Sequence, residues 1–106
     1  MIGTMKNRYD GKPLVMLLEH YVLWSIGELP EVQEKTLLAM TPMLQSTYST
    51  SGTWQQVIAS VMQFPVDLPT TLRGMWSRNL ELARKSGTTL TPQQFAEMIV
   101  DDNFPI

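Results

Sequence analysis

The chain has 106 residues, with 8 Lys+Arg against 10 Asp+Glu, one His and no Cys. That length suits one domain, and the missing cysteines exclude disulfide frameworks, thiolate zinc sites, iron–sulfur ligation and thiol nucleophiles. A net charge of −2 supplies no basic field for gripping phosphate backbones, so nucleic acid is not an expected partner.

Residues 1–11, with Gly3 and Gly11 among polar neighbours, read as a flexible leader ahead of a helical domain over 12–106. Lys6, Arg8 and Lys12 precede the apolar run Leu14 to Leu18, a signal-peptide shape, but Glu19 and His20 end that run and no small-residue cleavage site follows. No formal charge occurs from Thr36 through Val66, yet Gln45, Ser46, Thr47, Ser49, Thr50 and Gln55 make that span too polar to cross a membrane. A cytoplasmic protein is the expectation.

The first helix should begin at Pro13, whose fixed φ and absent N–H suit the first turn. Leu14, Leu17, Leu18, Tyr21, Val22 and Ile26 recur at helical spacing, and Gly27 is a plausible stop. Pro30 should open a second helix with Glu31 and Glu34 in its early turns, where the macrodipole favours anions. Val32, Leu37, Leu38 and Met40 read as its buried stripe, and Pro42 as a kink or an end. Thr53 with Gln56 three residues on forms a capping box for the third helix. Trp54, Val57, Ile58, Val61 and Met62 follow as one apolar face, stopped by Phe64-Pro65. Asp67 is the expected N-cap of the fourth helix, with Pro69 in its first turn and Leu72, Met75, Trp76, Leu80 and Ala83 inward. Arg84 and Lys85 suit its C-terminal dipole and Gly87 a left-handed cap. Thr91, Pro92 and Gln94 repeat the capping device for a fifth helix, with Phe95, Met98 and Ile99 inward before Asp101-Asp102-Asn103 breaks the pattern. No alternating strand run competes, so the expected fold is all-α, a compact single-domain bundle of about five helices.

The catalytic inventory is nearly empty, and no enzyme, cofactor or metal site is expected. His20 is the only imidazole, and no carboxylate three or four residues away orients it. Asp101 and Asp102, as helical neighbours, would point about 100° apart rather than form a paired site. No Gly-rich phosphate cradle exists. Of the eight Met, five (Met16, Met40, Met62, Met75 and Met98) fall on predicted inward faces and read as gap-filling core. Trp54 and Trp76 read as core too, while Trp24, one residue off the first helix's stripe, is the exposed-aromatic candidate.

A longer pattern runs through the second half. It comprises Trp54-Gln55-Gln56-Val57-Ile58, then Phe64-Pro65-Val66-Asp67-Leu68-Pro69, then Leu72-Arg73-Gly74-Met75-Trp76-Ser77-Arg78-Asn79. It continues with Leu90-Thr91-Pro92-Gln93-Gln94-Phe95-Ala96 and closes on Val100-Asp101-Asp102-Asn103-Phe104. Over residues 54–104 this resembles the small helical immunity proteins of bacterial contact-dependent growth inhibition systems. The resemblance implies a cytosolic protein that binds the toxic C-terminal domain of a large exported protein, often a nuclease, in a 1:1 complex that covers its active site. In that frame Trp76 packs the core, Asp67 caps, Arg73 and Asn79 bind neighbouring carbonyls, and Asp101-Asp102-Asn103 closes the last helix.

Specificity for one toxin should then lie outside the shared motif. Glu28, Glu31 and Glu34, spaced by three, are the first partner-binding candidates, with Trp24, Asp101 and Asp102 behind them. A helical adaptor or regulatory protein with no toxin partner would show the same core. A small nucleic-acid-binding domain would rest on Arg73, Arg78, Arg84 and Lys85, the only basic cluster on one helix, partly balanced by Glu81.

Overall fold

The computed structural model describes residues 12–104; the leader expected over 1–11 lies outside the described residues. Five helices, α1 (Pro13–Ser25), α2 (Glu31–Tyr48), α3 (Trp54–Met62), α4 (Leu68–Lys85) and α5 (Pro92–Asn103), make an all-α, single-domain bundle with no strand among those residues.

Most of the local signals that start the helices act as read. Thr53 and Thr91 each accept from the backbone N–H three residues on, and Gln56 and Gln94 return the bond to the cap N–H, so both capping boxes close. Gly27 and Gly87 end α1 and α4 at φ +76° and +70°, backbone that a Cβ disfavours. Asp67 precedes α4, but its φ of −90° and ψ of 8° lie outside the extended region from which a side chain reaches the first-turn N–H groups, so it makes no cap bond.

Two elements run longer than their breakers suggest. α2 continues through Pro42 to Tyr48. The hydrogen bond that Pro42 cannot donate would have gone to the carbonyl of Leu38, and both residues are exposed, so water can take that acceptor. α5 continues through Asp101 and Asp102 to Asn103, whose Nδ2 donates to the Ile99 carbonyl at 2.8 Å.

α1 is the centre of the bundle. It packs against α5, α4 and α3, while α2 packs mainly on α3. A helix wrapped on several sides buries more than one stripe: Val15, Leu23, Glu19 and Ser25 are buried together with Leu17, Leu18, Tyr21 and Val22. Trp54, Val57 and Ile58 of α3 and Phe95, Ala96, Ile99 and Val100 of α5 close around it. Burial of each large apolar side chain here is worth about 1.5–3 kcal/mol. Arg73 ties α4 to the end of α1 through the Ser25 carbonyl at 3.3 Å, and Asn79 Nδ2 donates to the Met75 carbonyl at 2.8 Å.

Three expectations about the interior need correction. Only part of the stripe assigned to α2 is buried: Leu37 is inward and Met40 half-buried, but Val32 is 74 % and Leu38 59 % exposed, and the second inward position is Leu44. None of the five Met read as core is fully buried; Met16, Met40, Met62 and Met75 are half-buried and Met98 is exposed. Unbranched Met fills irregular margins, and here the margins are where it sits. Leu80, also read as inward, is on the exposed side of the boundary. Trp76 is half-buried and packs on Phe95 at 5.2 Å, whereas Trp54 is wholly enclosed with its indole N–H unpartnered among the described residues.

Candidate interaction surface

The outer face of α2 is the largest departure from an ordinary solvated helix. Val32, Thr36, Ala39 and Met43 stand at i, i+4, i+7 and i+11, so they share one face, and all four are exposed. Thr36 spends its hydroxyl proton on the Val32 carbonyl at 3.0 Å, leaving the stripe without a free donor there. Leu38 and Pro42 extend exposed apolar surface round one flank.

On its other flank this stripe borders a groove. α1 and α2 do not pack closely, and a space of about 330 Å³ opens between them, lined by Met16 and His20 of α1 and Val32, Gln33, Thr36, Leu37 and Met40 of α2. His20 Nδ1 is buried there without a hydrogen-bond partner. Desolvation lowers the His20 pKa below its ordinary value, against the smaller opposing pull of the neighbouring Glu19 carboxylate. Every lining residue other than His20 is neutral at all pH values, so the groove offers an apolar socket with one imidazole and no nucleophile–base pair.

The acidic candidates sit at the α2 N-terminus, in a different arrangement from the one the spacing suggests. Glu28 lies in the α1–α2 connection, outside the helical register, because α2 starts only at Glu31. Glu31 pairs with Lys35 at 3.1 Å, an exposed i,i+4 pair of little energetic weight. Glu34 is half-buried and Glu28 exposed. The three therefore form an acidic corner rather than a continuous strip, partly offset by Lys35.

Trp24 is not the exposed aromatic its off-stripe position suggests. Because α1 is wrapped on several sides, that position still meets a neighbour: Trp24 is half-buried, edge-on to Trp54 at 6.2 Å and tilted against Tyr21 at 5.6 Å. Asp101 and Asp102 are exposed in the last turn of α5, and α5 shares no substantial interface with α2, so the structure does not gather them with the glutamates. The basic side chains of α4 are largely engaged: Glu81 pairs with Arg84 and, at 4.0 Å, with Lys85, and Arg73 holds Ser25 and Thr70.

Sequence reading missed a buried carboxylate. Glu19 has no solvent exposure, and Gln93 Nε2 of α5 donates to its Oε1 at 2.9 Å while also reaching Glu97 at 2.9 Å. The signal was present, since Val15, Val22 and Leu23 place apolar residues at i−4, i+3 and i+4 around it.

Among the described residues no group of acidic or His side chains could hold a metal ion, and no helix is long and apolar enough to cross a membrane. Comparison with protein-family models, with curated proteins and with solved structures finds no match to this chain.

Proposed function

We propose that this chain is a non-catalytic binding protein, an immunity protein that neutralises the C-terminal toxin domain of a contact-dependent growth inhibition system in the cytosol of the producing cell. The observation that carries the binding reading is the exposed apolar face of α2, beside a groove and ending at the acidic corner of Glu28, Glu31 and Glu34. Contiguous exposed apolar surface on a small domain marks an interaction site. Apolar anchors would supply affinity, and the acidic corner would steer a basic nuclease surface into register. The toxin as partner rests on the resemblance over residues 54–104. An adaptor or regulatory protein with another partner would use the same face.

The test is to look beside this reading frame for a large one with a variable C-terminal toxin domain, and to co-express that domain with this chain. Co-purification as a 1:1 complex and rescue of growth are expected. Failure to bind or to protect sinks the immunity reading, and binding to a non-toxin partner through α2 would install the adaptor in its place.

A further inference from the structure

A second cavity, remote from the α2 face, lies where α1, α4 and α5 meet the α3–α4 connection. It measures about 380 Å³, within the range of ligand pockets, and carries no charged side chain in its lining. Leu18 and Val22 of α1, Leu72 and Met75 of α4 and Ile99 of α5 supply apolar wall. Tyr21, Phe64 and Phe104 form an aromatic arc, with ring centroids 5.0 Å and 5.4 Å apart, which suits a flat guest. Tyr21 is 4 % exposed, yet its hydroxyl makes no hydrogen bond to any described residue. The hydroxyl keeps access to solvent at the cavity, where an acceptor on a guest can take the place of water. Burial pushes the Tyr21 pKa up, so at neutral pH the phenol remains a donor.

We propose that this cavity binds a small uncharged molecule, mainly apolar and carrying one hydrogen-bond acceptor such as a carbonyl oxygen, which the Tyr21 hydroxyl recognises. The absence of lining charge selects against ions, the aromatic arc favours a planar body, and the lone phenol sets the orientation. Asn103 is already engaged with the Ile99 carbonyl through its Nδ2, which leaves the Tyr21 hydroxyl on the inner wall and the Thr71 hydroxyl at the exposed rim as donors.

The probe is acetophenone, compared with α-methylstyrene, which has the same shape but no acceptor. Both are titrated into the full chain and followed by methyl NMR. Acetophenone should shift the methyls of Leu18, Val22, Leu68, Leu72 and Ile99 and bind about three- to tenfold more tightly than the hydrocarbon. Tyr21→Phe should erase that preference while leaving hydrocarbon binding unchanged. Thr71→Trp, on an exposed position at the cavity rim, should abolish binding of both with an unaltered far-UV spectrum. No methyl shifts at the solubility limit, equal affinity for the two probes in the wild-type chain, or binding that survives Thr71→Trp would each overturn the proposal.

Discussion

His20 stands half-buried between α1 and α2 with Nδ1 unpartnered, and its folded pKa lies below the ordinary value of about 6.5 because burial disfavours the cation. A group that binds its proton more weakly when folded destabilises the fold as the solution turns acid. The contribution to stability is therefore complete above the unfolded pKa and is lost as pH falls from about 6.5 through the lower folded value. Thermal melts should show a decline across that window that His20→Gln removes; an equal decline in the variant would mean that other groups cause it. Glu19 is a side chain held inside by hydrogen-bond partners. Gln93→Ala removes one of them and should lower stability by about 1–2 kcal/mol in denaturant titration, with Glu19→Gln better tolerated because an amide oxygen can still accept the bond.

At the scale of the element, the short α3 depends most on its ends. Nine residues are too few for a helix to persist by propensity, so the capping box and the burial of Trp54, Val57 and Ile58 hold it together. Thr53→Ala should cost about 1 kcal/mol, and Thr91→Ala a similar amount at α5. Gly52→Ala should cost more than Thr53→Ala. Gly52 sits at φ +106°, and a Cβ there would run into the Gln56 side chain that closes the box. The Gly52 carbonyl also accepts from Gln45 Nε2 at 2.8 Å, so disturbing this turn disturbs the join between α2 and α3. Pro42→Ala should act in the other direction, raising the melting temperature by restoring a bond to the Leu38 carbonyl.

For the whole molecule, the arrangement of α2 separates the face that contributes to stability from the face left open. It is held mainly by α3 through Leu37 and Leu44, while Val32 and Met43 point away from the core at 74 % and 55 % exposure. Val32→Asp and Met43→Asp should therefore change folding stability by no more than about 0.5 kcal/mol. If the proposed toxin domain docks on this face, the same substitutions should weaken its binding at least about tenfold, as loss of an apolar anchor does. Unaltered affinity would remove this face as the interface. Reversal of charge at Glu28, Glu31 and Glu34 together should slow association by a factor that shrinks with added salt, since an exposed corner acts through screened long-range attraction. A salt-independent effect would point to a structural disturbance instead.

Much of the fold was legible in the chain. The Pro13 start, both Thr–Gln capping boxes, the glycine stops at 27 and 87 and the Trp54–Ile58 face depend on interactions within a few residues, and such interactions are written locally. Arg73 and Asn79, assigned to carbonyls through the resemblance, do bind carbonyls. What tertiary structure alone decided is which helix stands in the middle. Once α1 is surrounded, Trp24 ceases to be exposed and Glu19 becomes interior, although neither residue changes its place on the helix. Once α2 is displaced to the margin, Val32 and Leu38 of the stripe that periodicity assigns to a core become surface, while Leu37 stays inside. Hydrophobic spacing states that a face is apolar; only the packing of the other helices determines whether that face meets the core or remains open to a partner.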